Sequence, residues 1–136
     1  MATAYLSPYL NFDGNCREAM EFYQSALGGK LEVSTFGELF PDEPPDRKDK
    51  IMHAMLQNDV LILMASDSPP GMEYNIGNHI SLSLAGTDAE QLKRYWDALS
   101  QGGNVIMPLE KQVWGDEFGM FADKFGMTWM VNISQE

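Results

Sequence analysis

The chain has 136 residues, 44% of them apolar and 21% charged, and nine Lys and Arg against 20 Asp and Glu give a formal net charge of −11. That length suits one compact domain and that composition a globular one. The charge balance repels phosphate backbones and anionic lipid with no basic cluster to offset it, so neither nucleic acid nor a membrane is an expected partner.

The opening MATAYLSPYL lacks a basic region and a long apolar run, and no stretch approaches a membrane span, so no export signal or anchor is expected. The single cysteine, Cys16, excludes an internal disulfide and a cysteine-based zinc site, and a reducing cytoplasm is the expected compartment.

The first alternating stretch is LSPYLNF (6–12), with Ser7, Tyr9 and Asn11 on one face and Leu6, Leu10 and Phe12 on the other. Asn15 followed by Glu18 has the spacing of a capping box. Ala19, Met20, Phe22, Tyr23, Ala26 and Leu27 then make an apolar helical stripe that stops at Gly28-Gly29. KLEVSTF (30–36) reads as a strand. GELFPDEPPDRKD (37–49) is too rich in Pro and acid for regular structure and reads as a solvated loop.

IMHAMLQ and VLILMAS flank Asn58-Asp59, a two-residue hairpin signal that pairs Gln57 with Val60 and puts His53 opposite Met64. Residues 66–78 read as a linker. GNHISLSLAG (77–86) alternates again, with His79, Ser81 and Ser83 on one face. Thr87 with Glu90 opens a second helix, striped by Ala89, Leu92, Tyr95, Trp96 and Leu99 and stopped at Gly102-Gly103. NVIMPLE, FGMFAD and MTWMVNIS are three more strands, the last two joined around Lys124-Phe125-Gly126.

The chain repeats itself. When LNFDGNCREAMEFYQSAL (10–27) is laid over LSLAGTDAEQLKRYWDAL (82–99), Leu10/Leu82, Gly14/Gly86, Glu18/Glu90, Tyr23/Tyr95, Ala26/Ala98 and Leu27/Leu99 are identical. Each copy runs strand, Gly turn, helix, then three strands. The pattern is βαβββ twice, an α+β fold with hairpin-linked strands and not a doubly wound sheet.

With SPYLNFDGNCREAMEFYQSALGG, IMHAMLQNDVLILMASD and VWGDEFGMFADKFGMTWMVN, the chain resembles the vicinal oxygen chelate superfamily of glyoxalase I, bleomycin-resistance proteins and extradiol dioxygenases. Within it, these stretches are most similar to the PhnB-like branch. The resemblance implies a single domain over 1–136, with module one at about 1–66 and module two at about 78–136. It also implies a mixed sheet curled into an open cup, helices outside, and a homodimer. In metal-using members four cup-facing positions hold the ion, and these fall on Ser7, Met64, His79 and Met130.

A serine hydroxyl and two thioethers suit a hard divalent ion poorly. No metal at the quartet and no cofactor are therefore expected. A displaced divalent site through His53, His79 and Glu117 is the alternative. By strand parity Tyr9, Asn11, Met64 and Met130 share the inner face with His79, and Trp114 and Phe121 are expected to add aromatic walls. Cys16 falls in the first turn of a helix, where the dipole favours a thiolate, although an ordinary first-turn residue is the simpler reading.

The expected function is binding of an unidentified small molecule in an apolar cup, of the ligand-sequestering kind the resemblance implies. The alternative is a glyoxalase-like lyase or isomerase using His79 and His53 as bases or as ligands. A methyltransferase, a label sometimes given to the PhnB-like branch, needs a cofactor turn that no strand-to-helix Gly motif here supplies.

Overall fold

In the computed structural model the first alternating stretch forms β1 (Tyr9–Phe12), with Leu10 and Phe12 buried and Tyr9 and Asn11 exposed. The structure describes residues 4, 6–68, 74, 75, 77 and 79–135. Residues 69–73, 76 and 78 of the expected linker lie outside the described residues. Leu6, expected on the buried face, lies before the strand and is exposed.

Behind β1 come α1 (Cys16–Leu27), β2 (Lys30–Thr35), α2 (Phe36–Leu39), α3 (Pro45–Lys48), β3 (Ile51–Gln57) and β4 (Ile62–Asp67). The second copy is β5 (Leu82–Gly86), α4 (Ala89–Leu99), β6 (Asn104–Lys111), β7 (Glu117–Ala122) and β8 (Thr128–Ile133). The chain divides into two compact units, Met1–Tyr74 and Asn75–Glu136. Their sheets have the orders β1-β4-β3-β2 and β5-β8-β7-β6. In each, the first and last strands of the unit pair in parallel and the other pairs are antiparallel. The α+β class and the doubled βαβββ order stand as read.

The helix stripes are buried where periodicity puts them: Ala19, Met20, Tyr23 and Leu27 on α1, and Leu92, Tyr95 and Leu99 on α4. Their caps differ from the reading. Thr87 lies one residue too early, and the Asp88 side chain accepts from Gln91 N–H at 3.1 Å. Asn15 makes no capping bond. The Cys16 N–H instead donates to Asp67 Oδ1 at 3.0 Å, while Asp67 Oδ2 accepts from Ile51 N–H at 2.8 Å. Helix α1 is therefore capped by a buried carboxylate from β4.

Two further expectations are corrected. The stretch 37–49 is not irregular throughout, since α2 and α3 each make a helical turn. The Thr35 hydroxyl accepts from Glu38 N–H, Pro45 takes the first position of α3, and Arg47 is held by Glu43 at 2.9 Å over the Phe36 ring. The residues that argued against order are helix starters in context.

The β3–β4 register pairs Gln57 with Ile62, so residues 58–61 form the loop. A two-residue turn of the favoured kind needs left-handed backbone at both positions, and no described non-glycine residue adopts it. The Asn58 side chain instead accepts from Val60 and Leu61 N–H and donates to the Leu27 and Gly28 carbonyls. It ties the loop to the end of α1.

Candidate functional site

In the first unit α1 packs on β2, β3 and β4. It covers the face carrying Ala54, Leu56, Leu63 and Ala65. The opposite face carries Tyr9, His53, Met55 and Met64, none of them buried. Tyr9 lies beside Met64, Met64 is opposite Met55, and Met55 is opposite Glu32. Tyr9 Oη is 3.3 Å from His53 Nδ1, with ring centroids 6.0 Å apart. Because β4 lies between β1 and β3, Tyr9 must reach across β4, past Met64, to make that bond.

His53 is on the expected face, but it is diagonal to Met64 and not opposite it. The register differs by two residues, and with a side-chain period of two the face is preserved. Asn11 sits beside Ser66, on the Tyr9 face. The Ser7 hydroxyl donates to the Ile62 carbonyl at 2.9 Å and so fastens the chain ahead of β1 to β4.

In the second unit Met130 lies between Ser83 and Met120, and Met120 faces Met107. Asn132 is opposite Phe118 and donates to Asp116 Oδ2 at 3.1 Å. Trp114 meets Phe118 edge-on at 6.1 Å and is 58% exposed. Thus Trp114 does stand beside the Met130 face.

Phe121 does not. It pairs with Trp129, is fully buried, and meets Trp96 of α4 edge-on at 4.9 Å, which puts it on the helix-covered face. Phe118, three residues earlier, occupies the open side expected for Phe121. Glu117 likewise belongs to the helix side, where it pairs with Lys93 at 3.6 Å. His79 is exposed and precedes β5, which begins only at Leu82. Met55, Phe118 and Met120 were missed; the alternation within IMHAMLQ and FGMFAD, taken with the observed registers, puts them beside Met64 and Met130.

Cys16 is buried, and that burial, reinforced by the Asp67 carboxylate and only partly opposed by Arg17, pushes its thiol up to about 12. The helix dipole does not make it a thiolate.

The quartet implied for a divalent metal does not fit one. Ser7 spends its proton on a backbone carbonyl, and Met64 and Met130 offer only thioethers. No group of three or more His, Cys, Asp or Glu side chains suited to a metal occurs among the described residues. No described helix is long and apolar enough to cross a membrane.

Two βαβββ units of matching strand order, each with one helix-covered and one open sheet face, are the fold that the resemblance to the vicinal oxygen chelate superfamily implies. A family profile described as 3-demethylubiquinone-9 3-methyltransferase matches residues 4–132, and the chain belongs to this PhnB-like family. It is 32% identical to YjdN of Escherichia coli, with 96% of both chains covered. Among solved structures it is similar to PA1353 of Pseudomonas aeruginosa, at 45% identity and a TM-score of 0.86 over 98% of this chain and 100% of that one. The PhnB protein of Bacillus cereus shares the fold at 24% identity and a TM-score of 0.77, covering 96% and 100%.

Proposed function

We propose that the chain binds a small, largely apolar organic molecule on the open face of its second module. It does so without a divalent metal, in the cytoplasm and as a homodimer. The observation that carries this reading is Trp114, more than half exposed beside Phe118 and the Met120–Met130 pair. Apolar walls with a few fixed polar groups, here Asn132 held to Asp116, are the usual make-up of a small-molecule site. Thioethers add adaptability and favourable contacts with aromatic rings. Methyl transfer is not part of the proposal: the β1–α1 turn is occupied from within, Lys50 Nζ donating to the Gly14 carbonyl at 3.3 Å.

The test is titration with the neutral dye Nile red, read by dye emission and by quenching of Trp114. Saturable binding is expected, and Trp114→Ala should weaken it about 10-fold, the worth of one lost aromatic contact. Absence of saturable binding, or indifference to Trp114→Ala, would sink the reading.

The hydrogen-bonded Tyr9–His53 pair favours a second reading, a glyoxalase-like lyase or isomerase with His53 as base. In the same series His53→Gln separates the two. Under the binding reading it leaves the dye titration unchanged, whereas under the second it abolishes turnover of a thiol–aldehyde adduct in a folded protein.

For the dimer the supporting feature is β6, an edge strand with exposed Val105, Ile106 and Met107. Exposed apolar edges are otherwise an aggregation hazard. Light scattering should give twice the chain mass, and Ile106→Lys should give the single-chain mass; a wild-type monomer overturns the proposal.

A further inference from the structure

We propose that His53, Met55 and Met64 of the first module form a site for a soft monovalent cation, copper(I) or its analogue silver(I). The inference does not rest on the small-molecule reading, which concerns the other module. It begins from the disagreement at the implied metal quartet, where a thioether stands at Met64 in place of a hard ligand.

Register supplies a second thioether. Met55 is directly opposite Met64 on the same face, where facing Cβ atoms lie about 4.5–5.5 Å apart. Two flexible thioether arms span that gap with room for a bound ion between the sulfurs. The third donor is His53, two residues from Met55 along β3 and therefore on its face.

His53 is drawn toward Met64 by the hydrogen bond to Tyr9, which crosses β4 to reach it. That bond engages Nδ1 and leaves Nε2 for a metal. With the ion on Nε2, Nδ1–H donates to Tyr9 Oη, the outer contact that fixes tautomer and ring direction in metal-bound histidines. Two thioethers and one imidazole are a soft set: sulfur ligands of this kind select copper(I) and offer little to zinc or magnesium. His53, Met55 and Met64 are each only half-buried, so an ion has access. The open face of the second module has a comparable row, Met107, Met120 and Met130, but no imidazole lies in it. The donor set is complete in the first module alone.

The experiment uses silver nitrate in chloride-free buffer with the full chain, its methionine methyl groups labelled with carbon-13. A Cys16→Ala background removes the one thiol, which would otherwise compete. One equivalent of silver should be retained on dialysis, shifting two methyl resonances, and Met55→Leu and Met64→Leu should abolish one each. Either leucine variant, or His53→Gln, should weaken retention at least about 10-fold. Leucine preserves volume and apolarity, so Nile red binding and thermal stability should change little and thereby report an intact fold. Zinc sulfate should leave both resonances in place.

No retained silver in the Cys16→Ala protein overturns the proposal. So does retention that survives Met55→Leu and Met64→Leu, or that is lost on Met120→Leu or Met130→Leu instead.

Discussion

Replacing Asp67 with Ala is expected to remove about 2–6 kcal/mol of stability, roughly 1–3 kcal/mol for each of two buried donors left unpaired. The carboxylate is 3% exposed, and its two oxygens take the N–H groups of Cys16 and Ile51. It thereby joins the start of α1, the start of β3 and the end of β4. Alanine leaves two buried donors unpaired at the point where those elements meet, and water has little access to replace the oxygens. A loss of that size is a large share of the stability of an ordinary domain.

Asp67→Asn should be milder, because one carbonyl oxygen remains while its amide meets the other N–H donor to donor. The check is urea unfolding followed by circular dichroism, with tryptophan fluorescence alongside. All three tryptophans, Trp96, Trp114 and Trp129, lie in the second unit, so fluorescence reports whether that unit follows the first. A change in stability below about 0.5 kcal/mol, the range of an ordinary surface substitution, would show that the carboxylate is not the cap.

Gly119→Ala is the second large effect, expected near the top of the roughly 1–3 kcal/mol cost of one added carbon in a filled core. Gly119 is buried on β7. Its backbone is ordinary for any residue, so the objection to a side chain is space alone. A Cβ there would lie 2.6 Å from Trp96 Cη2 and 2.8 Å from Leu109 Cα. The second contact is backbone of β6 and cannot swing away. The first is an indole already seated edge-on against Phe121.

A lowered melting temperature and a changed Trp96 environment are the expected results. The double variant Gly119→Ala/Trp96→Leu should recover part of the loss relative to the sum of the single changes, since the two positions share one space. Strict additivity would mean that the Trp96 contact is not the cause.

Much of this architecture was legible before any coordinates. The alternation of YLNF, the apolar stripes from Ala19 to Leu27 and from Leu92 to Leu99, and the overlay of Leu10–Leu27 on Leu82–Leu99 place strands and helices where the structure has them. The faces of Tyr9, His53 and Met64 were also legible, because a register error of two residues leaves a strand's face unchanged.

Caps and neighbours were less so. Asn15 has the spacing of a capping residue, yet its side chain makes no capping bond, and the first N–H of the helix, that of Cys16, goes to Asp67, 51 residues away. Alternation puts Phe118 and Phe121, three residues apart, on opposite faces, but only the register with β8 and the packing of Phe121 against Trp96 show which of them is on the open one. Glu43 and Pro45 look like loop residues until Glu43 holds Arg47 over the Phe36 ring and Pro45 opens α3.

The sequence by itself determined the doubled βαβββ order, the strand and helix periods, and the thioethers of Met64 and Met130 at two of the four implied metal positions. These follow from local backbone geometry and from side-chain chemistry, which need no partner. Only the tertiary structure decided that Met55 faces Met64, that Tyr9 reaches His53, that Phe118 and not Phe121 stands beside Trp114, and that Asp67 caps α1. Each of those is a meeting of residues far apart in the chain. It is set by which loop closes and which face packs, quantities that no local pattern encodes.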